Sequence, residues 1–132
     1  MKFMLIQAYG GVEDVEPMST WSPQDIDAHI GYQLKLNDEL RERGELVDAQ
    51  ALTAPELAKF VKHDGVGTPV VTDGPFPESK ELLAGYRIVD VESPQRAIEI
   101  AAKGSAAPGP DGVPIEQTIE VREVMGVPGV EA

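Results

Sequence analysis

The sequence predicts an α+β domain in which an antiparallel sheet carries two helices on one of its faces. Three observations lead there. Two segments open with the same Ser-Pro helix start, Ser22-Pro23 and Ser93-Pro94, and short apolar runs flank both. The runs at 3–9 and 82–91 are largely apolar on both alternating sides, as central strands are. A turn signal at Asp64-Gly65-Val66-Gly67 joins two extended runs into a hairpin. The order is then strand, helix, strand, hairpin with a long loop, strand, helix, strand. Two β-α-β-like halves with amphipathic helices make a ferredoxin-like α/β sandwich.

Phe3 to Tyr9 forms the first strand, with Phe3, Leu5 and Tyr9 on one side and Met4, Ile6 and Ala8 on the other. Gly10-Gly11 ends it, and an acidic, Pro-bearing loop runs from Val12 to Thr20. Ser22 is the expected N-cap, with Pro23 at N1 and Asp25 at N3, and the helix should reach Arg43 with Gly44 as a left-handed cap. Ile26, Ile30, Leu34, Leu36 and Leu40 form its apolar arc. Gln33 and Asn37 fall inside that arc and His29 at its edge, a polar row on a face that should be buried. Buried amides need partners, so this row faces a wet cavity, a subunit interface or the polar side of the sheet.

Glu45 to Leu52 reads as the second strand, broken by Thr53-Ala54-Pro55. Ala58–His63 and Pro69–Asp73 are the hairpin strands. Leu82 to Val91 is the longest strand, with Leu83, Gly85, Arg87, Val89 and Val91 sharing one face. The second helix is expected to end on Gly104, and Ser105 to Pro114 to have no regular structure. Ile115 to Val124 is the last strand, so residues 1–125 make one domain and 126–132 a tail.

The 132 residues are 42% apolar, enough for one modest core, and only 5% aromatic. A net charge of −12 without any basic run argues against nucleic acid and anionic membranes as partners. Cysteine is absent, which excludes disulfides, thiolate catalysis and cysteine-based metal centres. No apolar stretch approaches the ~20 residues of a membrane span, and the first residues lack a secretory pattern. A cytoplasmic protein is the expectation. His29 and His63 stand far apart, without metal-binding spacing, and no phosphate loop, dinucleotide fingerprint or nucleophile elbow is present. Neither a metal nor a cofactor is expected.

Asp73-Gly74-Pro75-Phe76, followed by Glu78, Lys80-Glu81 and Gly85, resembles the DGPF signature of the YCII-related proteins. The likeness runs from the Met-Leu-Ile of the first strand to Val121-Arg122-Glu123-Val124, nearly the whole chain. It implies the ferredoxin-like fold, paired sheet to sheet as a dimeric α+β barrel, with the signature near the family's active-site cleft. The apolar second face of the central strands points to the same homodimer.

The residues themselves compose a candidate pocket. His29 is the candidate general base, because imidazole titrates near neutral pH, and Asp73 the carboxylate that orients it. Gln33 and Asn37 would hold a small molecule, with Tyr9 at the rim. Gly74 is expected to take a φ that other residues resist, aiming Asp73 from its strand end. Each feature has an ordinary alternative. Asp73 before glycine also hydrogen-bonds its own turn, and Glu78, Lys80 and Glu81 also make a solvated charge run. Gln33 and Asn37 also fit hydrogen bonding across a dimer, and Phe76 fits a hydrophobic plug. Two functions follow: a cofactor-independent acid–base enzyme of lyase or isomerase type, or a binding and regulatory module. The resemblance links the second to extracytoplasmic-function sigma factors, beside which DGPF proteins are often encoded.

Overall fold

A computed structural model describes residues 1–8, 15–74 and 83–127. Tyr9 and, from the signature loop, Pro75, Phe76, Glu78, Lys80 and Glu81 lie outside the described residues. The elements are β1 (Lys2–Ala8), α1 (Pro23–Glu42), β2 (Leu46–Ala51), β3 (Lys59–Lys62), β4 (Val70–Asp73), β5 (Leu83–Asp90), α2 (Pro94–Ser105) and β6 (Ile119–Glu123). The main sheet runs β2-β5-β1-β6, each neighbour antiparallel, while β3 and β4 pair as a separate ribbon. This α+β arrangement, with a four-stranded sheet and two long helices, is compatible with a ferredoxin-like fold.

Register decides which side chains meet. Phe3 pairs with Val89, Leu5 with Arg87 and Gln7 with Gly85, so these share the face under the helices. Met4 opposite Ile88 and Ile6 opposite Tyr86 point the other way. On the helix side Phe3, Leu5, Val89 and Val91 meet Leu36 and Leu40 of α1 and Ala97, Ile100 and Ala101 of α2 in one core. Leu40, Ile100 and Val89 are the largest side chains in it with less than 2% of their surface exposed. Burying each is worth about 1.5–3 kcal/mol.

Both helix starts form as the sequence requires. The Ser22 Oγ accepts from the Asp25 N–H at 3.1 Å, and the Ser93 Oγ accepts from the Arg96 N–H at 3.2 Å. Gly44 takes a left-handed φ of 71° just past α1. The end of α2 departs from expectation. The helix runs one residue past Gly104 to Ser105, and Gly104 is a buried residue of the last turn rather than the cap, which is Ala106. The segment after it is irregular, with a short 3-10 turn at Pro110–Gly112, but it is tied down. The Ile115 N–H donates to the Ala107 carbonyl at 2.9 Å, and both side chains are buried. That engagement draws Ile115 away from the sheet, so β6 starts at Ile119 and not at residue 115.

Gly74 also differs from expectation, because its φ is not positive. Its requirement is space: a Cβ there would stand 2.4 Å from a ring carbon of Phe60 and 3.1 Å from the Pro55 carbonyl oxygen.

A cleft between the first helix and the sheet

The apolar arc of α1 splits in two. Leu36 and Leu40 bury into the core, whereas Ile30 and Leu34 remain 47% and 57% exposed. At 100° per residue the second pair lies roughly a quarter to a third of a turn from Leu40, on the flank of the helix. Between that flank and the sheet lies a cleft of about 790 Å³. Its size falls in the range of ~300–1,000 Å³ common for small-molecule sites. Leu5, Ile100, Ile115 and Ile119 form apolar wall, and His29, Gln33, Asn37 and Arg87 are among the polar groups, with Gln7, Glu16, Gln50 and Gln117 elsewhere on the lining.

His29 sits on α1 and reaches the loop after α2. Its Nδ1 lies 3.0 Å from the Pro108 carbonyl, which only accepts, so Nδ1 carries the proton and Nε2 is left with the lone pair when the ring is neutral. Trp21 packs edge-on against the ring, with centroids 5.6 Å apart, and its own indole N–H donates to the Glu16 carbonyl at 2.8 Å. The imidazole therefore has a fixed tautomer and a fixed wall behind it.

Arg87 occupies an inward position of β5 and keeps only 9% of its surface. Its Nε–H donates to the Asn37 Oδ1 at 2.7 Å, and its Nη2 donates to the Gln33 Oε1 at 2.6 Å and to the Gln33 carbonyl at 3.1 Å. The amides that looked out of place on the buried face of α1 thus have a cation to hold. Arginine only donates, so both amide oxygens must face it and both NH₂ groups must turn away. No carboxylate pairs with Arg87 among the described residues. Burial without a counter-charge pulls its pKa below the ordinary arginine value, with the phenolate form of nearby Tyr32 opposing that weakly.

Asp73 does not line this cleft. It stands exposed at the end of β4, ion-paired with Lys59 across the β3–β4 ribbon. The position expected of it behind His29 is filled by the Pro108 carbonyl. His63 is exposed at the ribbon tip, its Nε2 2.9 Å from the Gly67 carbonyl. Among the described residues no group of three or more histidines and carboxylates is placed to hold a metal, and no helix is long and apolar enough to cross a membrane.

Residues 1–126 match the YCII-related domain. The chain belongs to the YCII-related family. It is also 28% identical over 88 residues to an uncharacterized protein, R00369, of Rhizobium meliloti (strain 1021), an overlap of 67% of this chain and 70% of that one. In this YCII-related domain the sequence signals for His29, Gln33 and Asn37 led to one cleft. Arg87 was not singled out as a candidate site residue. Its signal was there, a charged residue at an inward position between Gly85 and Val89 of a central strand.

Proposed function

We propose that the protein binds a small organic molecule in the cleft between α1 and the sheet, and that His29 moves a proton on it without a cofactor. The observation that carries this reading is the oriented imidazole on the wall of a large, mainly apolar cleft. Its Nδ1–H is committed to the Pro108 carbonyl, which leaves Nε2 as the base. An apolar enclosure strengthens the few polar contacts a ligand makes there. Asp73 has no part in the base, since Lys59 already holds it. A fragment library screened by protein NMR tests the reading. Hits should perturb His29 and Ile119, and an enolisable hit should exchange its acidic C–H with deuterated water in the wild type but not in His29→Gln. Hits confined to the β3–β4 ribbon, or exchange unaffected by His29→Gln, would overturn it.

The finer architecture we propose is a homodimer through the sheet face opposite the helices. Met4, Ile6, Tyr86 and Ile88 form a contiguous patch there in adjacent registers, and none belongs to the core under the helices. Light scattering should give twice the chain mass at micromolar concentration, and a stable monomer contradicts the arrangement.

A further inference from the structure

The guanidinium of Arg87 has five N–H groups. Three are used by Asn37 and Gln33, one from Nε and two from Nη2. The two on Nη1 have no partner among the described residues, and Nη1 is not sealed from solvent. On the same side-chain amide that Arg87 holds, the Gln33 Nε2 is buried with no acceptor among the described residues. Its orientation is forced, because Oε1 must face the arginine. Among the described residues the inner end of the cleft is therefore rich in donors, short of acceptors, and carries a positive charge that no carboxylate balances. A water molecule would satisfy an N–H there but would leave the charge uncompensated.

The glycine above this group adds a second observation. Gly104 lies in α2 with helical φ, where alanine is the better helix former. A Cβ at Gly104 would meet no backbone and a single heavy atom, Arg87 Nη1, at 3.5 Å, an ordinary contact. The fold has room for alanine. What glycine preserves is open space beside the free edge of the guanidinium.

We propose that the ligand of this cleft is a monocarboxylate with an apolar body, seated with its carboxylate on Arg87 Nη1. The inference rests on the cleft being the ligand site. A carboxylate supplies the missing acceptors of Nη1 and the missing charge, and charge-assisted hydrogen bonds are the strong ones. One negative charge fits better than two, because Arg87 is a single cation in a chain of net charge −12. The body would lie against Leu5, Ile30, Leu34, Ile100 and Ile119, which line the rest of the cleft.

The test is a titration of the full ¹⁵N-labelled chain with hexanoate and benzoate, their neutral amides, and inorganic phosphate, following the Arg87 Nε–H and the Gln33 side-chain amide. Hexanoate and benzoate should shift both signals and bind about tenfold or more tighter than the amides, as a hydrogen bond to a charged group requires. Gly104→Ala should keep or raise the melting temperature while weakening the carboxylates about tenfold and the amides by roughly twofold or less. Arg87→Met should erase the preference for charge. Equal binding of acids and amides would overturn the carboxylate assignment while leaving the cleft a ligand site. Binding of neither would overturn both readings. Phosphate binding more tightly than hexanoate would overturn the monocarboxylate class.

Discussion

Arg96 at the start of α2 and Arg87 in the middle of β5 are almost equally withdrawn from water, with 11% of the side chain and 9% of the residue exposed, yet they keep opposite company. Arg96 grips Glu45 through Nε and Nη2, both at 2.9 Å, so the turn after α1 is locked to the first turn of α2. Hydrogen bonding to Arg96 holds the Glu45 carboxyl below the usual glutamate range, helped by Arg43 against an opposing effect of burial. The same bond raises the pKa of Arg96. Arg87 has two neutral amides and, among the described residues, no carboxylate. The first arginine has its counter-charge inside the chain; the second has none among the described residues. A buried cation is thus a structural lock where the chain supplies the acid, and the ligand group we propose for this cleft where none stands beside it.

The comparison breaks most readily at the lock. Glu45→Ala leaves Arg96 only the exposed carboxylate of Glu99, 3.2 Å from Nη1, and we expect a loss of about 2 kcal/mol, read as a lowered denaturation midpoint with an unchanged slope. The lock also has a pH signature. Because Glu45 has a depressed folded-state pKa, its contribution is fully present above the ordinary glutamate value of about 4.3 and is lost as pH falls through the lower folded value. Glu45→Gln should accordingly show a flatter stability profile on acidification than the wild type.

Arg87→Met should cost less, about 1 kcal/mol, since it removes a charge without a counter-charge among the described residues and leaves two amides facing a cleft. A loss matching that of Glu45→Ala would make Arg87 a second lock and remove the contrast. The smallest effect is expected on the flank of α1. Leu34, 57% exposed, should tolerate Leu34→Gln within about 0.5 kcal/mol by thermal denaturation. A larger loss would show that the lip of the cleft is covered in solution.

The sequence by itself determined the helix starts, the central strands and the order of elements. Ser22, Ser93 and Gly44 act through bonds and dihedrals within a turn of themselves, and strand alternation in β1 and β5 follows from the pleat. It also exposed Gln33 and Asn37 as amides on a face that should be apolar, which located one wall of the site. The failures all lie where a residue answers to something distant in the chain. Gly104 looked like a helix end, but Arg87 from the strand before the helix lies beside it. Gly74 looked like a turn dihedral, but its neighbours are Pro55 and Phe60. Asp73 looked like the partner of His29, but the antiparallel pairing of β3 with β4 gives it to Lys59. Arg87 was read only as one member of a strand face, because an inward charge in a strand becomes meaningful only when α1 lays Gln33 and Asn37 across it with no acid beside it among the described residues. Local rules fix dihedrals and periodicity. Which donors end up facing which acceptors is decided by packing between segments about 50 residues apart, and a sequence read in order does not contain that distance.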